Sequence, residues 1–205
     1  AISACEKDSQ WCLAVGLLVH MHCACLEANT ISHSAAISAC EKDAQWRLAL
    51  ALLVHMPYAR LEPDTVNHNA AASACEKAAR WHLALELLAG MPRTRLEPNT
   101  VSCNAAISAC EKDSQWCLAV GLLVHMHCAC LEANTISHSA AISACEKAAA
   151  QWCLALRLLA HMPHIRLEPS VISCNAAISA CEKAAHWPLA LALLARMPRV
   201  GLVPN

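Results

Sequence analysis

Six tryptophans, Trp11, Trp46, Trp81, Trp116, Trp152 and Trp187, recur at spacings of 35, 35, 35, 36 and 35 residues along a chain of 205. A period this regular points away from an ordinary single-core domain. Each unit is one supersecondary motif, too small to bury its own apolar face, and it becomes stable by stacking on its neighbours. With Thr65–Asn99 as the reference, the other units are Thr30–Asp64, Thr100–Asn134, Thr135–Ser170 and Val171–Asn205, and residues 1–29 are the last 29 positions of a partial unit. Together they form one repeat domain. The single inserted residue falls in the Ala-rich turn Ala148–Ala150, where a change of length is tolerated best. Residues Ala1–Lys42 are identical to Ala106–Lys147. A three-unit block has therefore been copied, and agreement between its two copies counts as one observation. The chain starts within a repeat and is expected to be a fragment of a longer protein.

Within a unit the pattern is helical. Asp64, Asn99 or Asn134 stands where an N-cap is needed, and Pro63 or Pro98 closes the segment before it. The spacing predicts a first helix over about Thr65–Ala78. A second begins near Trp81 and is stopped by Pro92 after Met91. Trp81, Ala84, Leu85, Leu88 and Met91 share one face of that second helix. Ala70, Ala71, Ala74 and Cys75 are small enough to let the two helices approach closely. The expected fold class is all-α, an α-solenoid of stacked 35-residue helix–turn–helix repeats. Stacking of this kind accounts for an apolar fraction of 57% with no Phe and a single Tyr. The longest apolar runs, such as Leu48–Val54, are too short to span a bilayer, so no membrane association is expected. Most of the fifteen Cys recur with the repeat and read as small packing residues in a reducing compartment rather than as a disulfide framework.

A second stripe, on the first helix, carries the candidate function. Val66, Asn69, Ser73 and Lys77 are three, four and four residues apart and so lie on one face. The same types recur at Ile31, Ser34, Ser38 and Lys42, and at Val101, Asn104, Ser108 and Lys112. They recur again at Ile136, Ser139, Ser143 and Lys147, and at Ile172, Asn175, Ser179 and Lys183. All six lysines of the chain, Lys7 among them, occupy this one repeat position. Such a ladder suits a single nucleic-acid strand. Lysine neutralises phosphate, Asn or Ser hydrogen-bonds a base edge, and Val or Ile packs on the base face. A solvated helix face, with Lys favouring the C-terminal end of the dipole, produces the same pattern, so both readings stand at this point. Net charge is −1 with a pI near 6.9, unlike a non-specific nucleic-acid binder.

The 35-residue period, Asn69 in the first helix, Ala84 and Met91 in the second, and the terminal Pro–Asn or Pro–Asp resemble the pentatricopeptide repeat along the whole chain. The tetratricopeptide repeat has a period of 34 and fits less well. The resemblance implies a right-handed superhelix that binds single-stranded RNA, one base per repeat, in chloroplast or mitochondrial RNA processing, stability, editing or translation. It also implies that each unit reads a base with its fifth and last residues. The pairs are then Ser34 with Asp64, Asn69 with Asn99, Asn104 with Asn134, Ser139 with Ser170, and Asn175 with Asn205. By the family's tendencies these select, 5′ to 3′, G, pyrimidine, pyrimidine, an A-like purine and pyrimidine. Ile31, Val66, Val101, Ile136 and Ile172 would sandwich the bases, and Lys7, Lys42, Lys77, Lys112, Lys147 and Lys183 would contact phosphates.

The chain departs from the family in three ways. Arg60, Arg95, Cys130, Arg166 and Cys25 replace a Gly common before the terminal Pro, which survives only as Gly201. Pro57, Pro92, Pro163 and Pro198 are expected to shorten the second helix. Asp43–Ala44 or Ala78–Ala79 replaces the usual small pair in the turn. These departures bear on groove curvature more than on fold.

His22, Cys23 and Cys25, mirrored by His127, Cys128 and Cys130, are spaced too closely for an ordinary zinc site, and His55, His125 and His161 suit a helix C-terminus. No metal or cofactor is expected. The chain has neither the His-x-Glu with Cys-x-x-Cys of a zinc deaminase nor a phosphate loop or nucleophile elbow, and no enzymatic activity is expected. Single-stranded RNA is the expected partner, with no DNA. A protein-binding solenoid remains the alternative, favoured by the near-neutral charge and by a Glu beside each Lys.

Overall fold

The computed structural model describes residues 2, 5, 10–24, 26, 28–148 and 151–197. Among them are eleven α-helices in an all-α helical repeat array. They are α1 (Trp11–Cys23), α2 (Thr30–Lys42), α3 (Trp46–Tyr58), α4 (Thr65–Lys77), α5 (Trp81–Gly90), α6 (Thr100–Lys112), α7 (Trp116–Cys128), α8 (Thr135–Lys147), α9 (Trp152–His161), α10 (Val171–Lys183) and α11 (Trp187–Arg196). Short 3₁₀ turns follow α5 (Met91–Thr94) and α9 (Met162–Ile165). Two compact units divide the chain, Ala1–Ala109 and Cys110–Asn205.

In the first unit α2 packs on α4, and each second helix (α1, α3) packs against the first helix of the following repeat. The second unit repeats this with α8 on α10, and with α7 and α9 against α8 and α10. First helices stack directly because their buried faces are built of small residues. Ala35, Ala36, Ala39 and Cys40 of α2, and Ala70, Ala71, Ala74 and Cys75 of α4, are all buried. Second helices α3, α5, α7 and α9 each contribute one buried Ala with a buried Met near or just past the helix end, such as Ala49 with Met56 and Ala155 with Met162. Trp46 and Trp81 stand half-buried around these clusters.

Each first helix starts at a side-chain cap. Asp64 Oδ1 accepts from Asn67 N at 2.9 Å and Asn99 Oδ1 from Ser102 N at 3.0 Å. Asn134 Oδ1 accepts from Ser137 N at 3.1 Å, and Ser170 Oγ from Ser173 N at 3.1 Å. In α4, α8 and α10 the third residue reciprocates, completing a capping box. Second helices start on a Trp without a side-chain cap.

The prolines act differently from repeat to repeat: Pro92 and Pro163 follow second helices shortened to 10 residues, as expected, whereas Pro57 does not shorten its helix. Pro57 lies inside α3, which is 13 residues long, as is the proline-free α7. After α5 and α9 the chain tightens into 3₁₀ turns that contain Pro92 and Pro163. A proline in the last turn removes a single ladder bond, so it costs little there. The stop is a left-handed corner two residues before each terminal Glu–Pro or Glu–Ala. Arg60, Arg95, Cys130 and Arg166 hold φ of 57°, 60°, 54° and 61°. The next N–H closes onto the Met carbonyl at 2.9 Å in all four, Leu61 to Met56, Leu96 to Met91, Leu131 to Met126 and Leu167 to Met162, a Schellman-type closure. This is the place where the family's Gly is missing, and the corner forms without it. Ala44, Ala79, Ser114 and Ala185, at φ of 54–59°, make the other corner of the repeat, between its two helices.

The inserted residue lies between Lys147 and Trp152, and α8 keeps the 13 residues of its counterparts. Ala149 and Ala150 themselves lie outside the described residues, as do Cys25, Pro198 and Gly201.

Candidate functional site

The aliphatic row opens outward. Ile31, Val66, Val101, Ile136 and Ile172 are 55–70% exposed, although Ala35, Ala70, Ala105, Ala140 and Ala176, one turn along the same helices, are buried. They are therefore not core residues.

Next to this row, side chains about thirty residues apart in sequence come together. Asn69 Nδ2 donates to Asn99 Oδ1 at 3.4 Å, and the Ser139 and Ser170 hydroxyls are 3.2 Å apart. Ser34 and Asp64 are linked through Asn67, whose Nδ2 donates to Ser34 Oγ at 2.7 Å while its backbone N–H donates to Asp64 Oδ1. Asn104 is engaged in polar contacts on α6, and Asn134 caps α8. Asn175 is half-buried on α10, while Asn205 and Lys7 lie outside the described residues. Helix capping explains the convergence: the last residue of one unit caps the next first helix, which itself stacks on the helix carrying the fifth residue.

The lysines do not stand alone. Lys77 Nζ meets Glu41 at 3.1 Å, Lys147 meets Glu111 at 2.9 Å and Lys183 meets Glu146 at 2.8 Å. Lys42 and Lys112 also have partners. Each of these three pairs joins the Lys of one unit to the Glu preceding the Lys of the unit before it. The sequence signal was present as the recurrent Cys–Glu–Lys, in which Glu and Lys point apart within one helix. Only the offset between stacked helices brings the Glu to the next Lys.

Imidazoles form a separate cluster. His33 lies over His55 with ring centroids 6.1 Å apart, and His22 is 6.5 Å from His55. In the second unit His138 and His161 are 6.5 Å apart. Burial pushes the pKa of His33 and His138 below the usual histidine value. Each ring's bond to a backbone carbonyl, that of Asn29 or Asn134, opposes this, and the neighbouring histidines add to the lowering. A cleft of about 660 Å³ in the second unit is lined by His127, Cys128, Cys130, His138 and His161 among others. It includes none of the expected base-reading residues. Among the described residues no group of three or more His, Cys, Asp or Glu is placed to hold a metal ion, and no helix is long and apolar enough to cross a membrane.

The cysteines divide into two sets. Cys40, Cys75, Cys110 and Cys145 are buried, and burial is the leading cause that pushes their thiols up to about 11. Cys12, Cys23, Cys117, Cys128, Cys130 and Cys153 are exposed, so the packing role expected for most cysteines holds for the first-helix set only.

The pentatricopeptide repeat domain model matches residues 51–113. The structure of the maize pentatricopeptide repeat protein PPR10 superposes on the whole chain with a TM-score of 0.72 at 23% identity, using 29% of that protein's chain. PPR10 in complex with an 18-nucleotide psaJ RNA element gives 0.77 at 25% identity, again over the whole chain and 30% of the other. Residues 51–113 thus resemble the pentatricopeptide repeat, and the whole chain shares the helical-repeat fold of PPR10. The chain spans about 30% of the PPR10 chain it matches. The pentatricopeptide repeat domain of Arabidopsis thaliana protein-only RNase P 1, in complex with tRNA, shares the fold at a TM-score of 0.53 and 10% identity, over the whole chain and 89% of that domain. No curated protein sequence matches the array.

Proposed function

We propose that the array binds single-stranded RNA sequence-selectively, one base per repeat, and serves RNA processing, stability, editing or translation in a chloroplast or mitochondrion. It would do so without an enzymatic activity of its own, its units acting as one repeat domain. The observation that carries this reading is the exposed aliphatic row, Ile31 to Ile172, set beside pairs of polar side chains that meet across the repeat boundary. An apolar shelf beside a hydrogen-bonding edge suits an unstacked base, which needs a packing surface for its face and partners for its edge. The likeness to PPR10, solved with a psaJ RNA element, supports the same reading. Ser34 with Asp64, Asn69 with Asn99, Asn104 with Asn134, Ser139 with Ser170, and Asn175 with Asn205 are proposed as the reading pairs, and the six lysines as phosphate contacts.

Fluorescence anisotropy at fixed moderate salt tests the proposal. An RNA containing G-pyrimidine-pyrimidine-A-pyrimidine is compared with its scramble, and an Asn69→Thr, Asn99→Asp double variant is run in parallel. Selective binding is expected, with the variant shifting to G at the second base. A folded, monomeric sample that binds neither RNA would favour a protein partner. The ion-paired lysines are the observation in favour of that alternative, because a carboxylate at each ammonium weakens its hold on phosphate.

A further inference from the structure

The third residue of each first helix is buried at the repeat boundary, and no base-reading role is expected for it. Asn67 is 1% exposed and Ser102 is 2% exposed, so neither can touch a ligand directly. Each nevertheless reaches the fifth residue of the preceding unit. Asn67 Nδ2 donates to Ser34 Oγ at 2.7 Å, and Ser102 Oγ donates to Asn69 Oδ1 at 2.6 Å. In both contacts one partner is a long amide and the other a short hydroxyl. Where both are serine, as at Ser139 and Ser173, Ser173 donates instead to the Ser170 carbonyl at 2.8 Å.

Resting on the RNA-binding reading above, we infer that Asn67 is a positioning residue that sets the hydrogen-bond polarity of Ser34 and so makes the unit Thr30–Asp64 selective for guanine. The orientation of the Asn67 amide is settled by the cap. Asp64 N–H donates to Asn67 Oδ1 at 3.0 Å, which turns Nδ2 towards Ser34. Ser34 Oγ must therefore accept from Asn67. Its own proton goes to the Thr30 carbonyl at 2.7 Å. The hydroxyl is left with a lone pair and no donor. Asp64 offers carboxylate oxygen only, and its second oxygen is not used by the cap bond. A pair that can only accept fits a base edge with two adjacent donors. Among the four bases guanine alone has that edge, in N1–H and N2–H₂.

Ser139 illustrates the unlocked state. Its hydroxyl faces that of Ser170, and either can be the donor, so that unit tolerates an acceptor on the base. Asn67→Ser puts at this position the residue that the other units carry at Ser32, Ser102, Ser137 and Ser173, so the fold accommodates it. Ser34 should then become as permissive as Ser139.

The test uses the full chain and two RNAs that differ only in G or A at the base facing Thr30–Asp64. A third RNA is altered at the base facing Thr65–Asn99. The unmodified array is expected to prefer G by about tenfold or more, the discrimination typical of a two-bond base contact. Asn67→Ser should reduce that ratio to about threefold or less, leaving discrimination at the next base and the thermal midpoint unchanged. Tight binding with an unaltered G-to-A ratio would overturn the polarity role and leave RNA binding intact. An equal loss of affinity for both RNAs would also overturn it, by assigning Asn67 a structural role alone. Failure of the unmodified array to bind any of the three would remove the RNA reading together with this one.

Discussion

The corners of the repeat are held by residues poorly suited to them. Arg95 and Arg166 adopt left-handed φ of 60° and 61°, which costs an L-residue about 1–2 kcal/mol. Glycine removes that strain but loses more entropy on folding. Arg95→Gly is therefore expected to stabilise the array by about 0.5–1 kcal/mol, read as a higher urea midpoint, and a lower midpoint would show that the Arg side chain makes a compensating contact. Ser170 acts in the opposite direction. It caps α10 through Ser173 N, so Ser170→Ala should cost about 1 kcal/mol before any effect on ligand binding. Thiol chemistry separates the two cysteine sets at this scale. At pH 7.5 iodoacetamide should label exposed Cys117 and Cys128 in the folded array and spare Cys110 and Cys145, whose buried thiols sit near 11. Mass spectrometry of labelled peptides reads the result, and rapid labelling of Cys145 would mean that α8 opens readily.

At the scale of helices, the packing that stacks α8 on α10 also buries His138. Its folded pKa lies below the usual histidine value of 6.5, chiefly through burial, with His161 and His127 adding like charge and the Asn134 carbonyl opposing. A depressed histidine binds fewer protons folded than unfolded, so its contribution to stability is complete above pH 6.5 and is lost as the pH falls through the folded value. His33, with His55 beside it and the Asn29 carbonyl opposing, follows the same sign in the first unit. Thermal melts should therefore fall from pH 7.5 to pH 5.5, and His138→Asn should flatten the slope. An unchanged slope would place the titration elsewhere. The Lys–Glu pairs act between the same stacked helices, but with lysine side chains 35–43% exposed they contribute at most about 1 kcal/mol each.

For the whole molecule those pairs matter more to binding than to folding. Six unpaired lysines on six phosphates would produce a slope of log affinity against log salt near −4 for a single strand. With carboxylates competing, the slope should be shallower. Glu111→Gln or Glu146→Gln should strengthen RNA binding about two- to fivefold at low salt by releasing a lysine, measured by anisotropy across a salt series. No gain from either substitution would mean that the lysine row is not in the binding path.

Much of this architecture could be read directly from the chain. The tryptophan period, the N-cap residues, the small-residue face and the buried Ala and Met of the second helices are local or periodic properties, and a sequence carries those explicitly. The first-helix stripe proposed for base reading was legible as a stripe for the same reason, since residues three and four apart share a helix face wherever the helix ends up. The shortening at Pro92 and Pro163 was legible, but the stop at Pro57 was misread because proline is visible in a sequence, whereas a left-handed Arg or Cys is not; φ at those corners is decided by the closure of the next N–H onto the Met carbonyl. Only tertiary structure could pair Lys147 with Glu111, set Asn67 behind Ser34 and bring His33 over His55. Each contact joins side chains separated by 22 to 36 residues, and their meeting depends on the offset between packed helices, a distance fixed by side-chain volumes across the interface rather than by any residue's own preference.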